Sequence, residues 1–165
     1  MKNLLFALTI VAGTAFAGSA LAAAKGDIPV DQLPPDVKTL VQQYVTILRA
    51  ANGDPEKAAV DFIKIAGGGV VNPDGNSLRQ DVTRFSLKKD SENVKFYADP
   101  IVVTRVNVTD TTGHGFGASA IKGKFYKVWI QKADPKNGMP APIGVIVPEG
   151  HPTIKTPKVD TIGSL

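Results

Sequence analysis

The chain contains no cysteine, only two histidines and a single tryptophan. Without cysteine it has no disulfides, no thiolate zinc site, no thioether-linked haem and no lipid-modified N-terminal cysteine. The histidines, His114 and His151, sit in unrelated contexts with no His-x-x-His or His-x-x-x-His spacing, so no metal site is expected. After the first twenty-odd residues there is no further long apolar run, no low-complexity segment and no internal repeat. Charge of one sign is also scarce. The formal balance of +4 falls to +3 once Lys2 is removed, with 18 basic residues facing 15 acidic ones. So small a surplus leaves no footprint for nucleic acid.

What is present begins with a processing segment. Lys2 supplies a positive start, Leu4 to Ala17 form an apolar run broken only by threonine and glycine, and Ala20-Leu21-Ala22 gives an A-x-A cleavage site. Ala22-Ala23-Ala24 is the alternative site. The run is shorter than the ~20 residues of a spanning helix, and polar Lys25-Gly26-Asp27 follows without a basic stop-transfer cluster. No twin arginine precedes it. Residues 1–22 therefore read as a Sec-type signal peptide, and the expected location is periplasmic or secreted, without a transmembrane anchor after cleavage. The remainder divides into a linker at 23–34, a single domain at 35–148 and an extended tail at 149–165 with little packing expected.

Leu33-Pro34-Pro35 suits a helix start, because proline in a first turn forfeits no hydrogen bond. Val37, Leu40, Val41, Tyr44, Val45, Leu48 and Ala51 then recur at spacings of three and four, the stripe of an amphipathic helix. Asn52-Gly53 ends it, and Asp54-Pro55 reads as cap and first helical position of a second helix. That helix carries Ala59, Phe62, Ile63 and Ala66 on one face and is expected to stop at Gly67-Gly68-Gly69. Ser77-Leu78-Arg79-Gln80 has the spacing of a capping box, which predicts a short third helix to about Phe85 with Leu78, Val82 and Phe85 inward. A strand is the alternative there.

From Asn93 the pattern changes. Val94 to Tyr97 alternates, Ile101 to Val108 is β-branched, Gly123 to Lys132 is aromatic-rich, and Pro142 to Val147 is a short apolar run. Asp110 to Gly113 and Asp134 to Gly138 suit hairpin loops. The expected class is α+β, a helical pair plus a short third helix packed on a curved antiparallel sheet. This element order, with "NVKFYADPIVVTRV" as the first strands, resembles the cone-shaped NTF2-like or SnoaL-like superfamily. The resemblance covers about Pro35 to Pro148. It implies a cone cavity and either a binding module or a small-substrate enzyme, with catalytic members placing Asp, His or Tyr inside the cone.

Gly113-x-Gly115-x-x-Ala118 matches a loose dinucleotide fingerprint, yet the residues after it favour a strand, so the helix that would carry the pyrophosphate is missing. No cofactor is expected. His114 is the best single candidate for catalysis, as a general base needing a carboxylate such as Asp99 or Asp110. Tyr97, Arg105, Tyr126 and Trp129 are the candidates for lining a ligand pocket. Lys122, Lys124, Lys127, Lys132 and Lys136 form a basic strip that reads as protection of an exposed sheet edge. The leading expectation is non-catalytic binding of a small apolar or amphipathic ligand or an envelope protein. The alternatives are an enzyme using His114 or a pocket tyrosine, and an envelope assembly component. A homodimer is left open.

Overall fold

The computed structural model describes residues 26–165, so the signal-peptide reading of residues 1–22 lies outside them. Helix α1 spans Pro35–Ala51 and buries all seven residues of the predicted stripe. Asn52 ends it in the left-handed region at φ 53°. Asp54 then caps α2, Pro55–Phe62, its Oδ1 accepting the Glu56 and Lys57 N–H groups at 3.0 and 3.1 Å. The two helices meet through Tyr44 and Phe62, whose ring centroids are 5.2 Å apart.

Helix α2 ends at Phe62, before the glycines, because the chain after it is drawn into the sheet. The Val159 N–H donates to the Ile65 carbonyl at 2.9 Å, and the Gly67 N–H donates to the Val159 carbonyl at 2.7 Å. The third helix also begins later than its capping box. Ser77 is occupied within the preceding loop, its carbonyl taking the Asn72 N–H at 2.9 Å and its hydroxyl the Asn72 amide at 2.8 Å. A π-helical turn, Val82–Leu87, instead leads into α3, Lys88–Asn93. A π turn widens the repeat to about five residues. Val82 and Leu87 are therefore both buried, while Phe85 is 63% exposed. Val94 to Tyr97 is likewise no strand. It is a 3₁₀ turn that buries Val94 and Tyr97, three residues apart.

The sheet is an open antiparallel meander in the order β1-β2-β3-β4-β5. Its strands are β1 Asp27–Ile28, β2 Val103–His114, β3 Ile121–Ile130, β4 Ala141–Pro148 and β5 Lys158–Thr161. Alternation along the strands sends Val106, Tyr126, Val128, Ile143 and Val145 into the core shared with the helices. Arg105, Thr109, Phe125, Lys127 and Trp129 consequently share the outer face. The architecture is the expected α+β arrangement of helices on one face of a sheet that does not close.

Three further expectations are overturned. Residues 149–165 pack against the body: β5 pairs with β4, Ile154 covers Ile121, Phe125 and Ile146, and Leu165 is buried. Buried Asp90 anchors the segment, accepting the Gly163 and Leu165 N–H groups at 2.7 and 2.9 Å beside the Tyr44 hydroxyl at 2.7 Å. The loop expected at Asp110 to Gly113 belongs to β2, and the chain turns at Gly115 to Ala120. Lysines 122, 124 and 127 protect no edge, because β3 is the central strand with both sides paired. Lys132 lies buried with its ammonium 3.6 Å from the Tyr97 ring centroid, and Lys136 belongs to an exposed turn. No helix among the described residues is long and apolar enough to cross a membrane.

Candidate functional site

The site grows from two irregularities in the sheet. Between Thr111 and His114 strand β2 advances three residues while β3 moves two, from Gly123 to Ile121. Between Val159 and Thr161 strand β5 advances two residues while β4 moves one. Each is a bulge, a single extra residue that bends its strand and re-aims a side chain. The first delivers His114 and the second delivers Asp160.

In a flat sheet, β2 and β5 would lie about 14 Å apart, three strand spacings. Here His114 Nδ1 contacts Asp160 Oδ2 directly, so the β2–β3 end of the sheet curls over. The glycine triplet makes that approach possible. A Cβ on Gly68 would stand 2.1 Å from the Ser119 carbonyl oxygen and 2.4 Å from that of His114. A Cβ on Gly115 would stand 2.6 Å from the Gly68 backbone. Gly67-Gly68-Gly69 and the Gly115 turn are thus two halves of one backbone contact, and helix termination is not what the triplet is for.

Asp160 is fully buried. Its Oδ1 accepts the Gly69 N–H at 2.8 Å, and the Gly69 carbonyl in turn accepts from Arg79 Nη1 at 3.1 Å. A carboxylate oxygen facing Nδ1 selects the tautomer in which Nδ1 donates, so in the neutral imidazole Nε2 is the acceptor nitrogen. The imidazole also lies against Phe125, with ring centroids 4.6 Å apart. A carboxylate behind, an aromatic ring beside and a fixed tautomer hold the imidazole in one orientation. That is the geometry of a general base or of a directional hydrogen-bonding anchor.

His114 lines a cavity of about 510 Å³ on the outer face of the sheet. Phe125, Pro142 and Gly144 give it apolar surface, and Thr109, Lys127, Thr161 and Ser164 contribute polar groups. Thr161 reaches over Gly144, where a Cβ would come within 1.9 Å of its Oγ1. The volume lies in the range of small-molecule sites.

The other predicted residues do not converge on this cavity. Tyr97 and Tyr126 are buried on the helix side of the sheet. Burial pushes the Tyr97 phenol up to about 12, and its hydroxyl has no partner among the described residues. Arg105 and Trp129 stack 4.5 Å apart near β1, where the guanidinium grips Asp27 with Nε and Nη2 at 3.1 and 3.0 Å. Asp99 is paired with Arg49 at 2.7 Å and Asp110 with Lys124 at 3.0 Å, so neither serves His114. His151 organises its own loop, Nδ1 accepting the Thr153 and Ile154 N–H groups at 3.2 and 2.9 Å. After Gly115, a 3₁₀ turn at Gly117–Ser119 leads into β3.

Sequence reasoning missed Asp160 and the place of Lys127. The signal for Asp160 was the β-branched run Val159 to Ile162, hidden behind the prolines upstream. Among the described residues no group of three His, Cys, Asp or Glu side chains could hold a metal ion. Comparison with family models, with curated proteins and with solved structures found no match.

Proposed function

We propose that this chain is an exported, NTF2-like domain that binds a small molecule in the cavity over the outer face of its sheet, with His114 as the polar anchor. The observation that carries the reading is His114, oriented by buried Asp160 at the wall of that cavity. The signal-like leader supports export, and the family part of the reading rests on the element order of the sequence alone. The packing of Leu165 and the cover that Ile65 to Gly67 place over β5 weigh against assembly through a free tail or that edge. A fragment screen followed by backbone amide NMR tests the reading. Hits should map to Thr109, Phe125, Gly144 and Thr161, and His114→Ala should weaken them about tenfold, the worth of one good hydrogen bond. Hits confined to other surfaces would defeat it.

One observation favours catalysis as a second reading. With Nδ1 committed to Asp160, Nε2 is free to take a proton from a bound substrate. Under that reading a bound carbonyl or ester compound turns over, and His114→Gln slows turnover by at least about 100-fold. Binding without turnover leaves the binding module as the function.

A further inference from the structure

We infer that the outer-face cavity selects small carboxylates carrying an apolar body, with Lys127 as the charge-bearing contact. The inference rests on the small-molecule reading of the same cavity and adds its ligand class.

The electrostatic inventory points one way. Lys127 is exposed and forms no hydrogen bond or ion pair among the described residues. The carboxylates elsewhere on the sheet are engaged: Asp27 holds Arg105 at 3.0 Å and Asp110 holds Lys124 at 3.0 Å. Asp160, the acid nearest the cavity, is fully buried and accepts from both His114 and the Gly69 N–H. The hydroxyls of Thr109, Thr161 and Ser164 have no protein partner among the described residues either. The cavity therefore offers one unpaired ammonium and three free hydroxyl donors, with no carboxylate among its lining groups.

The apolar part of the ligand follows from half-buried Pro142 and the 6% of Phe125 that stays exposed, which line the cavity with the lysine. Lys127 pairs across the strands with Asn107 on one side and Gly144 on the other. Over Gly144 the space a side chain would take is filled by Thr161 Oγ1 and the tip of the Phe125 ring, which brings that hydroxyl and the ring together beside Lys127. A small acid can thus lie along the sheet, its body against Pro142 and the exposed margin of Phe125 and its carboxylate between Lys127 and the hydroxyls. An ammonium is a point charge that accepts many approach angles, which suits a class of acids more than a single one.

Phenylacetate and its neutral isostere phenylacetamide test this on the mature chain by amide NMR titration. Phenylacetate should shift the Lys127, Gly144 and Thr161 resonances, and should bind at least about tenfold more tightly than phenylacetamide. Lys127→Met, an exposed position whose unchanged amide dispersion reports an intact fold, should remove that tenfold preference. Equal binding of acid and amide at the cavity would overturn the carboxylate inference and leave the small-molecule reading standing. A preference that survives Lys127→Met would overturn the role of Lys127. No shift from either compound at concentrations that would saturate a ~1 mM site would count against both readings.

Discussion

Replacing Gly68 with alanine isolates the backbone contact on which the site depends. The new Cβ would lie 2.1 Å from the Ser119 carbonyl oxygen and 2.4 Å from that of His114. Both neighbours are backbone, so neither can swing aside as a side-chain tip would. To restore ordinary contact the hairpin must back away by roughly an ångström, the scale on which a van der Waals contact is lost. Overpacking of this kind costs about 1–3 kcal/mol, and a rigid neighbour puts Gly68→Ala at the upper end, about 3 kcal/mol. In a domain of this size that is a fall in Tm of about 10 °C. Gly53→Ala separates conformational strain from steric overlap. Its φ is +85° and nothing lies within 4 Å, so only the left-handed conformation is penalised, by about 1–2 kcal/mol. Gly115→Ala combines a φ of +91° with overlap on Gly68, and should be the most damaging of the three. Differential scanning calorimetry reads the order directly. A Gly68→Ala protein that melts within about 2 °C of the parent would refute the close approach of the hairpin to the glycine triplet.

Asp90→Asn should cost about 1–3 kcal/mol in denaturant unfolding, because an amide cannot accept from Tyr44, Gly163 and Leu165 together; an unchanged midpoint would contradict the anchoring role. Burial raises the Asp90 pKa, opposed by hydrogen bonds from Gly163, Tyr44 and Leu165, so the folded state holds its proton to higher pH than the unfolded state. The contribution of this group is then fully present below its ordinary value of 3.8 and is lost as pH climbs through the raised folded value. Stability of the parent relative to Asp90→Asn should accordingly fall with rising pH across that window, and a rise would reverse the assignment. Lys132→Met should leave stability within about 1 kcal/mol of the parent or improve it, since burial already disfavours the ammonium stacked on Tyr97. His151→Ala should speed amide exchange at Thr153 and Ile154 while lowering global stability by no more than about 1.5 kcal/mol.

The helices were legible where a single local rule decided the outcome. The α1 stripe from Val37 to Ala51 and the Asn52 to Pro55 punctuation are set by 3.6-residue periodicity and by capping. The π turn at Val82–Leu87 broke that legibility, since a five-residue repeat sends Phe85 outward where a four-residue repeat would bury it. The strands β2, β3 and β4 were visible as β-branched and aromatic runs, but their order was not. The lysines of β3 therefore looked like an edge when they sit mid-sheet. The candidate site was half readable. His114 stands out in its glycine setting, whereas Asp160 is 46 residues away and is brought to it only by two bulges and a contact between glycines. No periodicity carries a long-range pairing of that kind.

The most direct measurement is the ¹⁵N-resolved imidazole spectrum of His114, recorded with and without phenylacetate. The contact with Asp160 predicts that the neutral form of the ring carries its proton on Nδ1, shielded from exchange by Asp160, and that the Nε2 resonance moves as ligand fills the cavity. A ring protonated at Nε2, or an Nε2 signal indifferent to ligand while the cavity residues respond, would contradict the placement of His114 as the anchor of the site.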